Sequence, residues 1–228
     1  PGVHSICPHP QAPDELLLGI SCGGVWRSAD AATSWELLGE GLMADYMPPE
    51  LQAVLNTQDP HRIVRCAAQP EVLWCQHHCG IWRSTDNGRH WQRLHGPVSS
   101  FGFAVAAHPA EAGTAWFVPA VKDQCRVPVD GALCVQRTRD GGQSFEMLRE
   151  GLPQAGCYDL VYRHGLAVDS SGRHLLMGST TGGLWARREH LEAMPPFLGG
   201  GEMIKEVRFE KTVFNDPPHK FEAGTPNI

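Results

Sequence analysis

The stretch that decides the fold is CGIWRSTDNGRHWQRL, residues 79–94. Ile81-Trp82-Arg83 reads as a short strand of alternating character, Asp86-Asn87-Gly88 as a tight turn, and Trp91 as the start of a returning strand. The carboxylate of Asp86 can accept N–H groups of its own turn, and Gly88 is free to take a positive φ. The closing aromatic packs beneath the turn and buries ~150–250 Å².

Two further segments repeat this pattern. GGVWRSADAATSWELL runs from Gly23 to Leu38, and CVQRTRDGGQSFEML from Cys134 to Leu148. With Asp30, Asp86 and Asp140 in register, the repeats lie 56 and 54 residues apart. A period of this size with strand-like content fits one four-stranded blade of a β-propeller per repeat. A fourth copy, His174 to Trp185, supplies strand text but no Asp-x-Gly-x-x-Trp after it. The expected fold is therefore all-β, an incomplete propeller of about three to four blades over residues 1–183.

The repeats resemble the Asp-box, S-x-D-x-G-x-x-W, of sialidases, sortilin-like receptors and other BNR-repeat proteins. Ser84, Asp86, Gly88 and Trp91 fit it in full, and Thr138, Asp140, Gly142 and Phe145 fit with conservative exchanges. Ser28, Asp30 and Trp35 fit with Ala32 in the glycine place, so a looser first turn is expected. In those families the box is a structural turn away from the active centre. The intervening text resembles bacterial BNR-repeat proteins described as sialidase-like or glycosyl hydrolase-like.

The text changes character near residue 184. Arg187 to Ala193 reads as a short charged helix ended by Pro195-Pro196, and Lys205 to Phe214 as a strand. Glu192-Ala-Met-Pro-Pro-Phe-Leu-Gly-Gly-Gly-Glu-Met-Ile204 and Phe221-Glu-Ala-Gly-Thr-Pro226 closely resemble SUF-type cysteine desulfurases, PLP enzymes of the class V aminotransferase fold. Residues 184–228 are thus expected to be a short α/β fragment of a PLP-dependent transferase. The resemblance places Thr225 at the PLP phosphate of a partner subunit. It also implies a Schiff-base lysine upstream and a persulfide cysteine downstream of the matching strings, so no cofactor is expected here and PLP belongs to a complete desulfurase. Gly182-Gly-Leu-Trp185 suits both parts, which suggests a chimera joined at a shared string.

Candidate chemistry in the propeller is sparse. Sialidase-like hydrolysis needs a tyrosine nucleophile, an arginine cluster for the substrate carboxylate and an acid. The candidates are Tyr158, Tyr162, Arg126 and Asp123. Propeller ligands bind on loops near the central channel, and Asp45, Tyr46, His61 and Lys122, with Arg126 and Tyr158, are the polar loop residues expected there. Cys75, His77 and Cys79 would share one side of a strand and could ligate zinc, although the repeat register reads them as buried blade strand, and no metal is expected.

The favoured reading is a scaffold for a carbohydrate or protein ligand, without catalysis. The alternatives are a sialidase-like glycoside hydrolase, and a desulfurase by tail resemblance alone. With 19 basic and 25 acidic residues the net charge is −6, which argues against nucleic-acid or anionic-membrane partners. No apolar run reaches the ~20 residues of a membrane span. Open blade edges favour self-association. The eight cysteines do not read as a disulfide scaffold, and cytoplasm is favoured over export. An opening at Pro1 reads as the inside of a longer reading frame, which leaves an upstream leader open.

Overall fold

A computed structural model describes residues 2–188 and the backbone of residues 210–211. Among the described residues sixteen strands form four antiparallel sheets, each in chain order. The first comprises β1 (Val3–His9), β2 (Ala12–Ile20), β3 (Gly24–Ser28) and β4 (Glu36–Leu38). The second comprises β5 (Pro60–Arg65), β6 (Leu73–His77), β7 (Gly80–Ser84) and β8 (Gln92–Leu94). In the third are β9 (Gly102–Ala107), β10 (Ala115–Pro119), β11 (Val135–Thr138) and β12 (Glu146–Leu148). The fourth holds β13 (Leu166–Val168), β14 (His174–Gly178), β15 (Leu184–Arg188) and β16 (Glu210–Lys211). Among the described residues no helix is long and apolar enough to cross a membrane.

The first strands of successive sheets, β1, β5, β9 and β13, adjoin one another, as the innermost strands of propeller blades do. Between blades lie three apolar cores. Leu17, Val25 and Leu42 of the first blade meet Ile63, Leu73, Trp82 and Trp91 of the second. Trp74 and Ile81 meet Val105 and Phe117, and Trp116 and Val135 meet Leu175, Met177 and Trp185. Each blade covers an apolar face of its neighbour. This burial, at about 25 cal/mol per Å², is the main term that holds the series together. The outward face of β1 has no such partner among the described residues, and Val3 and Ile6 are exposed.

In all three repeats the Ser/Thr-x-Asp turn, called the box below, closes the hairpin between the third and fourth strand of a blade. In each, the Ser or Thr hydroxyl donates to the aspartate and accepts the N–H four residues on, at 2.8–2.9 Å. The aspartate accepts the N–H of its own i+4 residue, at 2.8–2.9 Å. The first turn is not looser than the others: Ala31 and Ala32 take φ of 54° and 65°, matching Asn87 and Gly88 at 60° and 83°. The hydrogen bonds impose the left-handed conformation, and the alanines bear its steric cost.

The fourth sheet continues the propeller series across residue 184, since β15 begins there and Arg187 and Arg188 are strand residues. Of the helix expected at Arg187–Ala193, residues 189–193 lie outside the described residues. So do Thr225 and all of the Lys205–Phe214 strand except Glu210–Lys211, which pairs with β15.

Candidate functional site

The N-terminal ends of β5 and β9, the turn from β6 to β7 and the loop before β13 converge at one end of the blades. Register explains the core of this convergence. Pro60 pairs with His77, so the residue before β5 meets the residue after β6. The Asp59 carbonyl accepts the His78 N–H at 2.9 Å, and the Asp59 N–H donates to His77 Nε2 at 2.9 Å. Asp59, His61 and His78 thereby offer three ligand atoms within 4.8 Å of one another.

His61 is buried, with its ring stacked on Phe103 at 4.5 Å, and its Nδ1–H donates to the Gly102 carbonyl at 2.7 Å. That bond leaves Nε2 facing Asp59 Oδ2 at 3.8 Å. His78 Nδ1 is 3.5 Å from the same oxygen. Asp59 is only 8% exposed, and its other oxygen, Oδ1, is buried without a hydrogen bond. Burial pushes the His61 imidazole down to about 4, so the ring is neutral near pH 7. Burial alone would raise the Asp59 carboxyl, but His78, His61 and the Ser21 side chain together outweigh it and hold the group below the usual carboxylate range.

Aromatic rings wall the cluster. His78 meets Tyr46 edge-on at 5.0 Å and Phe101 at 5.8 Å, and Tyr162 lies 4.9 Å from Phe103. Two guanidiniums cover the Phe103 ring, Arg126 at 5.3 Å and Arg163 at 5.5 Å. Burial lowers the Arg163 pKa.

The expected site residues divide into those at this cluster and those away from it. Tyr46 and His61 are in it. Arg126 reaches Tyr162 Oη at 3.4 Å and is paired with Asp123 at 2.5 Å, so these three stand together. Asp45 instead pairs with Arg93 at 2.5 Å, Lys122 bridges its own loop to Cys125, and Tyr158 is 72% exposed. Cys75 and His77 are fully buried in blade strand, while Cys79 lies in the following turn and accepts the Asp45 N–H on Sγ at 3.2 Å. The box aspartates Asp30, Asp86 and Asp140 commit their carboxylates to their own turns.

Asp59, His78, Phe101, Phe103 and Arg163 are not among the site candidates that the sequence singles out. The available signal was the Asp-Pro-His string at 59–61 and the paired histidines at 77–78. Only strand register shows that these strings touch.

Residues 166–228 match the family Aminotransferase class-V. The match begins upstream of residue 184, within the strands of the fourth sheet. A probable cysteine desulfurase of Xylella fastidiosa (strain Temecula1 / ATCC 700964) is 58% identical over 90 residues, 39% of this chain and 20% of that protein. Another from Streptomyces coelicolor is 54% identical over 56 residues, 24% of this chain and 13% of its own. The chain thus spans a fifth or less of these two curated relatives. Among solved structures, the GH74 enzyme of Niastella koreensis superposes with a TM-score of 0.58 at 16% identity, covering 82% of this chain and 28% of that one. YCF48 from Cyanidioschyzon merolae gives 0.56 at 14% identity, over 92% and 55%. These two likenesses are of fold. The chain therefore carries a propeller-like segment and a desulfurase-type segment.

Proposed function

We propose that the propeller segment is a binding scaffold without chemistry of its own, and that its ligand, a carbohydrate or a protein segment, docks at the N-terminal ends of the innermost strands. The observation that carries this reading is the gathering of Tyr46, Phe101, Tyr162, Arg126 and Arg163 around a buried polar floor. Half-exposed aromatic rings give flat apolar area, and guanidiniums and imidazoles give directional polar contacts. Binding of oligosaccharide and peptide panels to the full chain tests it. Tyr162→Ala and Arg126→Ala should each weaken any ligand found by about tenfold, equivalent to about 1.4 kcal/mol. Binding indifferent to both variants defeats the reading.

The desulfurase-type segment is proposed to be inactive in this chain. Residues 166–228 contain no cysteine, and their lysines are Lys205, Lys211 and Lys220. Adding PLP should give neither an aldimine absorbance nor sulfide release from cysteine. The exposed Val3 and Ile6 on β1 favour self-association through that flank. A monodisperse monomer in sedimentation would count against it.

A second reading, sialidase-like hydrolysis, is favoured by the contact between Arg126 and Tyr162 Oη. Release of fluorophore from a sialoside, lost in Tyr162→Phe, would establish it in place of the scaffold reading.

A further inference from the structure

The geometry points to a divalent transition-metal site, suited to zinc, formed by Asp59 Oδ2, His61 Nε2 and His78 Nδ1. The tautomer of His61 is fixed by structure. A carbonyl cannot donate, so the 2.7 Å contact with Gly102 places the proton on Nδ1 and the lone pair on Nε2. That lone pair faces a carboxylate oxygen at 3.8 Å, and His78 Nδ1 faces the same oxygen at 3.5 Å. Neither separation makes a good hydrogen bond. Both suit neighbouring ligands on one ion: at metal–ligand distances near 2.0–2.1 Å, the edge of a tetrahedron is about 3.4 Å. The histidine's second nitrogen bonded to a backbone carbonyl is the support that metal-ligating imidazoles use.

A second observation is independent of those distances. Asp59 Oδ1 is buried with no partner at hydrogen-bond distance, on a side chain 12% exposed, and of its neighbours Ser21 adds only a neutral hydroxyl. A buried carboxylate needs charge or donors at both oxygens, and a bound cation supplies the charge. Asp59 and His78 are also pinned to each other through the backbone by the Asp59 carbonyl and the His78 N–H. Two ligands are thereby fixed before any ion arrives. Imidazole and carboxylate donors suit zinc and its neighbours better than calcium or magnesium. An opposing charge is Arg163, whose guanidinium acts electrostatically on both His61 and Asp59.

The site lies in the face proposed for ligand docking but does not depend on it, because a metal titration reads it with no other ligand present. The full chain, stripped with chelator, is titrated with Co²⁺ and followed by visible absorption, and then with Zn²⁺ by calorimetry. The expected result is one ion per chain, with the intense bands of four-coordinate cobalt displaced by zinc. His61→Ala and Asp59→Asn should abolish the bands. His78→Gln, in a half-buried turn where folding is least at risk, should weaken zinc binding at least tenfold. Arg163→Gln should tighten it by removing the opposing charge, and His90→Ala and His108→Ala should leave it unchanged. Absence of the cobalt bands, or zinc affinity equal in wild type and His78→Gln, overturns the proposal.

Discussion

The turns at Ser28–Trp35 and Ser84–Trp91 share a hydrogen-bond frame and differ in what lies against them. Trp91 is 5% exposed, packs into the core between the first and second blades, and donates from Nε1 to the Gly88 carbonyl at 2.9 Å. Trp35, in the equivalent place, is 37% exposed. The glycine position shows the same contrast. A Cβ on Gly88 would come 2.9 Å from Leu17 of the first blade, and one on Gly142 would come 2.3 Å from Leu94 of the second. The second and third boxes each pack against the preceding blade, where a methyl group would force a leucine to move. No preceding blade is described beside the first box, and there the chain carries Ala32. The glycine of the motif therefore answers to two demands, positive φ and blade-to-blade approach. Ala32 meets the first at a cost and, exposed among the described residues, does not face the second there.

The two turns should differ most at the aromatic. Trp91→Ala should destabilise by about 3–5 kcal/mol, the usual cost of emptying a buried aromatic site, whereas Trp35→Ala should cost well under half of that. Paired urea melts measure both. Equal losses would mean that Trp35 is covered in solution, by another copy or by further chain.

At the glycine position, Gly142→Ala should cost about 1–3 kcal/mol because Leu94, itself buried, must move. Ala32→Gly should run the other way and stabilise by roughly 0.5–1 kcal/mol, by relieving a left-handed alanine. A destabilising Ala32→Gly would show that the methyl group packs against something.

A smaller effect separates the boxes by pH. The hydroxyl and N–H of Ser34 hold the Asp30 carboxyl down to about 2, and Ser144 does the same for Asp140. A folded value below the unfolded one gives stability that is full above the unfolded value, about 3.9. It is lost as the pH falls from there towards 2. In the second box His90 replaces the serine, and its Nδ1 bonds Asp86 at 2.5 Å. The hydrogen bond and charge of Asp86 raise the His90 pKa. Its contribution is therefore full below about 6.5 and is lost as the pH rises through the raised value. An NMR titration should find His90 titrating above 6.5, and in Asp86→Asn back near it.

The boxes were legible because each is complete within eight residues: hydroxyl, carboxylate, turn and aromatic follow one another along the chain. Period and strand alternation then supplied the blades. The unusual member was legible as a substitution, but its consequence was not. Ala32 read as a loosened turn, whereas the hydrogen bonds hold it in the same conformation as its counterparts. Of the expected binding residues, Tyr46 and His61 meet at one cluster, while Asp45 and Lys122 are engaged elsewhere. Nothing local distinguishes these four, since polar loop residues look alike until their neighbours are known.

The sequence by itself determined the all-β architecture, the three box turns and the desulfurase-type strings towards its end, because each is written in contiguous residues with a local physical cause. Only the tertiary structure decided that Asp59 meets His61 and His78, that Phe101 and Phe103 close over them, and that Trp35 stays half exposed while Trp91 is buried. Those facts depend on the register of β5 against β6 and on which blade stands beside which. Register and blade adjacency are set by burial summed over whole sheets, which no short string records.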